Sequence, residues 1–287
     1  MTTTSSASTG TNKEQFFNAE HLGAVLCAGA VLVKGLLPCK RFGMISVIIP
    51  TLNAERDLAA TLTALVPAAV DGLIREVIVV DGGSTDRTRK IADASGADVV
   101  ESAPGRGQQL VAGAKKARGK WLLFLHADTV LEEDWTRDAL DFMNRVDQGD
   151  QDPAAAAFRF QLDDKGVRPR LLELAVSLRC KALRLPYGDQ GLLISRRLYD
   201  KLGGFKELPV MEDVDFIHRL GRARVVILDA QATTSAERYK RDGYLARTAR
   251  NLFCLGLYGV GVPPERIAHI YRGKRDAGGP ALIREPV

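Results

Sequence analysis

From residue 45 onward the chain alternates short apolar runs with amphipathic stretches; before it, the pattern is different in character. ISVIIP (45–50) predicts a buried strand. AERDLAATLTALVP (54–67) sets Leu58, Leu62 and Leu65 at helical spacing, with Pro67 as the stop. REVIVVDGGSTD gives a second strand ending at Asp81 and then a turn; DRTRKIADAS is a short helix closed by Gly96, and ADVVES a third strand. GQQLVAGAKKA reads as a helix stopped by Gly119, and KWLLFLHAD as a fourth strand ending at Asp128. This alternation predicts an α/β fold, a mostly parallel central sheet flanked by helices. Ligands in such sheets gather outside the carboxyl ends of the strands, where Asp81 and Asp128 are expected.

After Trp135 the order changes. AAAAFRFQL (154–162) reads as a strand, 168–185 as a helix, and 191–205 as a strand and helix ending in a Gly turn. MEDVDFIHRL begins a helix with acids, 224–239 carries one or two strands, and 244–272 is helical with a break at Pro263 and Pro264. The first 20 residues are Ser/Thr-rich and of disordered composition, and 21–43 are apolar without turn signals that would join them to the first strand. Met44 is thus the expected start of the compact domain. The division is 1–43 as an accessory extension, 44–240 as the main domain, and 241–287 as a C-terminal helical segment and tail.

Composition narrows the class. With 46% hydrophobic and 26% charged residues the chain is of soluble globular type, and 40 basic residues interspersed among 35 acidic ones do not form a nucleic-acid-binding tail. The four cysteines lack CxxC spacing, which argues against zinc and disulfide frameworks and fits a reducing, cytoplasmic setting. The apolar run at 22–33 is too short to span a bilayer, and the polar stretch before it is no signal peptide. NLFCLGLYGVG (251–261) either packs on the core or lies on a membrane surface.

Several side chains have the chemistry of a site. Asp81, at a strand end and followed by glycines that allow close approach, either accepts hydrogen bonds from a nucleoside or caps the next helix, the reading favoured for Ser84. Asp128 closes the most apolar strand, where a carboxylate is costly without a cation or donors; a divalent ion bridging it to phosphates is one answer. His126 is a second ligand or a side chain crossing the sheet. Arg106, between two glycines, is the candidate phosphate contact, and Asp189 and Gln190 in PYGDQG are a ligand-contacting loop or a simple turn. Glu212 and Asp213 offer a general base, with only one of the two expected to face a cleft, or simply acids suited to a helix N-terminus.

Together SVIIPTLNAE, EVIVVDGGSTDRT, AKKARGKWLLFLHADT, GDQG with SRRLYDKLGGF, and MEDVDF resemble, in order, the family 2 glycosyltransferases of GT-A (nucleotide-diphospho-sugar transferase) fold. The HAD triplet and GVPPERIAHIYR look most like a bacterial subgroup labelled arsenosugar-biosynthesis-type or radical-SAM-associated. The resemblance implies a hexosyltransferase-like enzyme that moves a sugar from a nucleotide-diphosphate donor to a hydroxyl acceptor with inversion. It implies Pro50, Thr51, Asn53, Glu55 and Asp81 at the donor nucleotide, and Asp128, with His126, at a Mn2+ or Mg2+ ion. Asp213 becomes the general base supported by Glu212. One departure is that His126 stands where the family has the first acid of DxD. A lipid-linked acceptor and peripheral contact with the cytoplasmic membrane face are compatible with the pattern. The competing reading is a non-catalytic carbohydrate- or nucleotide-binding scaffold on a degenerate transferase domain. GxGxxG after the first strand is missing, which excludes a nicotinamide dehydrogenase.

Overall fold

The computed structural model describes residues 43–272. The N-terminal extension expected at 1–43 lies outside the described residues except for Gly43, as does the tail beyond Arg272. β1 (Ile45–Thr51) begins one residue after Met44, and β2 (Ile74–Asp81), β3 (Asp98–Glu101) and β4 (Trp121–Phe124) join it in parallel. α1 (Leu58–Val70), α2 (Thr88–Ala94) and α3 (Arg106–Lys116) are the crossovers. Next come β5 (Thr129–Leu131), α4 (Trp135–Gln148), β6 (Ala155–Leu162), α5 (Val167–Leu183), β7 (Leu192–Ser195) and α6 (Arg196–Lys201). The chain ends in α7 (Glu212–Leu220), β8 (Val225–Thr234), α8 (Glu237–Asp242), α9 (Tyr244–Gly259) and α10 (Pro264–Arg272). The expected boundary at 240/241 falls inside α8.

The eight strands form one sheet in the order β3-β2-β1-β4-β7-β6-β8-β5. Four of its seven pairings are parallel; β4–β7, β6–β7 and β5–β8 are antiparallel. Both faces are covered, which is why β1 reads as a continuous apolar run. Ile45, Val47 and Ile49 pack toward Leu58, Leu62, Phe142 and Met143. Ile48 packs with Ile78, Val80, Leu110, Phe124 and Phe216 on the other face.

Three expectations change. Pro67 does not end its helix: α1 runs on to Val70, and the Asp71 N–H bonds the Pro67 carbonyl at 2.9 Å. Pro67 and Thr63 both sit on the solvent side, where water takes over the carbonyl that proline cannot serve. Strand pairing of WLLFLHAD stops at Phe124, so Asp128 lies four residues past a strand end and directly before β5. α4 and β5 were not anticipated, although Trp135, Ala139, Phe142 and Met143 bury one helical face. Among the described residues, no helix is long and apolar enough to cross a membrane.

Candidate active site

Two loops at the carboxyl ends of β1 and β2 are stitched together. Asn53 adopts a left-handed conformation, with φ 52°. Its amide donates to the Ser84 hydroxyl at 2.9 Å, and its side-chain carbonyl accepts from the Thr85 N–H at 2.9 Å. Asp86 accepts from the Glu55 N–H, and Glu55 accepts from the Arg87 N–H, both at 3.1 Å. The Asp81 carboxylate is 1% exposed and accepts from the Gly83 and Ser84 amides and from the Ser84 hydroxyl. Asp81 therefore organises its own turn. Ser84 serves both loops instead of capping α2. Thr51 turns its hydroxyl to the Val80 carbonyl at 3.2 Å, and Pro50 precedes it in β1.

Gln109, which sequence reasoning passed over, explains how α3 is seated. Its amide nitrogen donates to the carbonyls of Thr51 (2.7 Å) and Val80 (2.8 Å), so α3 is pinned to both strand ends. A polar residue on the inward side of a helix, two turns from any apolar break, was the available signal. At the helix N-terminus Gly107 meets the 206–208 backbone. A Cβ there would lie 2.6 Å from the Leu208 nitrogen, the Leu208 oxygen and the Lys206 oxygen.

Arg106, His126, Tyr187, Gly188, Glu212 and Asp213 line one narrow cleft of about 30 Å³. It opens beside the β4–β7 seam, where the sheet changes from parallel to antiparallel. Arg106 Nη2 donates to His126 Nε2 at 2.7 Å, and its Nη1 lies 3.3 Å from Glu212 Oε1. The Gly188 N–H donates to Asp213 Oδ2 at 2.8 Å. Gly188 has no room for a side chain, since a Cβ would sit 2.8 Å from His126 Nε2 and 3.2 Å from Asp213 Oδ2. Met211, which precedes the two acids, is held at φ 65°, a strained setting for a residue with a long side chain. Both Glu212 and Asp213 line the cleft, where only one was expected. The cleft wraps the first turn of α7, and Arg106 and Gly188 approach it from different sides. Asp215, by contrast, is spent on Lys206 (2.7 Å) and Arg219 (2.6 Å).

The 186–191 turn divides its labour. Gln190 is 1% exposed; its amide donates to the Phe158 carbonyl at 2.9 Å and its oxygen accepts from the Tyr187 N–H at 3.3 Å. Its side chain thus shapes the turn. Asp189 Oδ1 and Tyr187 Oη are buried without a protein hydrogen-bond partner.

Burial and charge act together on the titratable groups. Burial, outweighing the opposing Arg106 charge, pushes Glu212 up to about 7. Burial, with Arg106 and Arg238 adding to it, holds His126 well below the usual imidazole range, so it is a neutral acceptor. Burial opposes the Arg106 charge, yet Glu212 and Asp213 hold its pKa above the ordinary value. Burial raises Asp189 and Tyr187 as well.

Asp128 is held on its backbone by the Ser235 N–H, which bonds its carbonyl at 3.0 Å. Its carboxylate lies 4.0 Å from His126 Nδ1 on one side and 4.0 Å from Arg238 Nη2 on the other. That donor set does not fit a resident divalent ion. Among the described residues, no group of three or more His, Cys, Asp or Glu is placed to hold a metal. The Arg106 guanidinium lies within 3.3 Å of both His126 nitrogens, and Arg238 stands across Asp128. Unit charges 4 Å apart interact by about 4 kcal/mol at an effective dielectric of ~20, roughly twice that for a divalent ion beside a guanidinium.

The architecture is that of the GT-A fold, an α/β, mostly parallel sheet flanked by helices. Superposition on glucosyl-3-phosphoglycerate synthase of Mycobacterium tuberculosis, solved with Mn2+ and UDP-glucose, gives a TM-score of 0.54. It covers 88% of this chain and 86% of that one at 22% identity, a level that establishes the fold alone. The same enzyme solved with Mg2+ and UDP gives 0.54, covering 86% and 85% at 22% identity. Residues 46–178 match the model described as Glycosyl transferase family 2. In sequence, glucosyl-3-phosphoglycerate synthase of M. tuberculosis (strain CDC 1551 / Oshkosh) is 39% identical over 95 residues, 30% of this chain and 29% of that protein. The PGL/p-HBAD biosynthesis glycosyltransferase of Mycobacterium bovis (strain BCG / Pasteur 1173P2) is 36% identical over 110 residues, 31% and 37% respectively. The aligned stretch thus spans about a third of each curated relative.

Proposed function

We propose that the chain transfers a sugar from a nucleotide-diphosphate donor to a hydroxyl acceptor with inversion, Asp213 acting as general base. The observation that carries this reading is the convergence of Asp213, Arg106 and His126 on one cleft at the sheet's change of direction. Asp213 Oδ2 is oriented by the Gly188 N–H and takes the proton of the acceptor hydroxyl. The acceptor oxygen bonds the anomeric carbon as the bond from that carbon to the diphosphate oxygen breaks. Its electron pair leaves with the diphosphate. Glu212 holds Arg106 toward the cleft. Asn53, Glu55 and Asp81 fix the loops on the donor side, which supports their assignment to the nucleotide pocket. Asp128 stands beside the departing diphosphate, and no step is routed through a metal.

A UDP-sugar is the first donor to test, because the solved neighbours bind UDP or UDP-glucose. On the acceptor side, Asp189 and Tyr187 offer polar atoms without protein partners. The apolar residues Leu171, Leu174 and Leu178 are exposed on α5, whose Arg179 stacks on Tyr187. That face supports an acceptor with an apolar portion, a lipid-linked one included, met at the cytoplasmic membrane face. The arsenosugar-type subgroup belongs to the same proposal without naming the sugar.

The test is UDP release from a panel of UDP-sugars, with phosphoglycerate, simple glycosides and isoprenoid-linked acceptors. Acceptor-dependent release, abolished in Asp213→Asn, is the expected result. Nucleotide binding with no turnover on any acceptor would favour the scaffold reading instead.

A further inference from the structure

We infer that Arg106 and Arg238, in place of a divalent ion, neutralise the diphosphate in this chain. The inference rests on the transferase reading above and adds who carries the leaving-group charge. The two guanidinium groups stand on opposite sides of the His126–Asp128 pair: Arg106 Nη2 is 2.7 Å from His126 Nε2, and Arg238 Nη2 is 4.0 Å from Asp128 Oδ2. They come from different elements, α3 and α8, so the pair closes on the site from both ends. Arg106 is also the first residue of α3, an eleven-residue helix whose positive end lies beside it.

His126 makes this arrangement workable. An acid at that position would form a full ion pair with Arg106 and consume its charge. A neutral imidazole fixes the guanidinium by a hydrogen bond and adds no second carboxylate to the ion pair that Arg106 makes with Glu212. Glu212 Oε1, 3.3 Å away, lacks the alignment of a hydrogen bond. A planar guanidinium is permanently charged and presents paired N–H donors to phosphate oxygens. Arg238 is 58% exposed at its side chain and free to turn from Asp128 toward an arriving diphosphate. When the bond from the anomeric carbon to the diphosphate oxygen breaks, the added negative charge falls between two cations already in place, while the acceptor proton goes to Asp213.

The experiment is calorimetric titration of the full chain with UDP, in EDTA and in Mn2+. The wild type is expected to bind UDP in EDTA within about threefold of its affinity in Mn2+. Arg238→Gln, at an exposed position that tolerates change, should weaken binding in EDTA by about tenfold or more, the loss of a charge-assisted contact. Arg106→Lys should do the same with an unchanged melting temperature. The double variant His126→Asp with Arg238→His supplies metal donors and removes one cation, and its UDP binding should become Mn2+-dependent. A wild type that binds UDP only with Mn2+, or an Arg238→Gln variant with unchanged affinity in EDTA, would overturn the inference. Failure of UDP, GDP, CDP and dTDP to bind in either buffer would instead overturn the transferase reading and this inference with it.

Discussion

Where the ends of β1 and β2 meet α3, on the β1 side of the site, polar side chains are spent on one another. Asn53 bonds Ser84 and Thr85, Asp86 bonds Glu55, Asp81 bonds its own turn, and Gln109 bonds two strand-end carbonyls. On the other side, made by the 186–191 turn and the start of α7, Tyr187 Oη, Asp189 Oδ1 and Glu212 Oε1 lack a hydrogen bond from the protein. Met211 is strained there too. A buried polar atom without a partner costs about 1–3 kcal/mol. Two such atoms on one turn beside the cleft, Tyr187 Oη and Asp189 Oδ1, are what a site retains for a ligand, while Glu212 Oε1 keeps only its ion pair with Arg106. One side is a finished mould; the other keeps its valences open, and the acids sit on the open side.

The sharpest way to break this comparison is Asp213→Asn. Turnover should fall by about 10²–10⁴, the range of a positioned general base, with nucleotide affinity within about threefold of wild type. Loss of nucleotide binding in step with turnover, measured by calorimetry beside initial rates, would mean that the two sides do not divide labour.

Glu212→Gln comes next and is read through pH. A carboxyl raised to about 7 in the folded state from 4.5 keeps its proton there while the unfolded chain releases it. The native state therefore binds more protons between those values, and stability falls as pH rises from 4.5 to 7. The loss reaches roughly 3 kcal/mol. Melting curves at pH 5 and pH 7.5 should show the variant gaining on the wild type at the higher pH; a constant gap would remove Glu212 as a buried acid.

Smaller effects belong to the finished side. Gln109→Leu should cost about 1–2 kcal/mol in urea unfolding, since each carbonyl keeps one other donor, the Gly82 N–H for Thr51 and the Thr51 hydroxyl for Val80. Arg56→Ala breaks an ion pair with Glu237 whose side chains are 77% and 58% exposed. Its cost should stay below about 1 kcal/mol, and a larger one would show that this surface tie supports the site.

The first half of the fold was legible because β1, β2 and α1 obey simple periods and each ends on a turn signal. Past Trp135 the signal weakens for physical reasons. β5 is three residues long, too short to show alternation, and its pairing with β8 joins residues more than a hundred positions apart. Pro67 misled because a proline in an exposed last turn loses a bond that water replaces. Acids at expected strand and helix ends drew attention to Asp81, Asp128 and Asp213, although pairing stops at Phe124 and Asp128 lies past the end of its strand. Arg238 stood out only as part of a basic cluster with Lys240 and Arg241, suited to an anionic ligand or to a solvated face, and only the fold brings α8 to the end of the HAD segment. Gly188 likewise looked like any turn glycine until His126 and Asp213 were found against it.

The contact at Gly107 has a consequence for how the site can be rebuilt. The helix that offers Arg106 is keyed, with no space for a methyl group, to the backbone of 206–208, and that segment runs directly into Met211 and Glu212. Grafting another loop between Gly204 and Met211 would disturb three backbone atoms on which α3 rests. The placement of Arg106 and of the first turn of α7 is therefore coupled, and a designer who wants to change one must rebuild the segment with those atoms held in place.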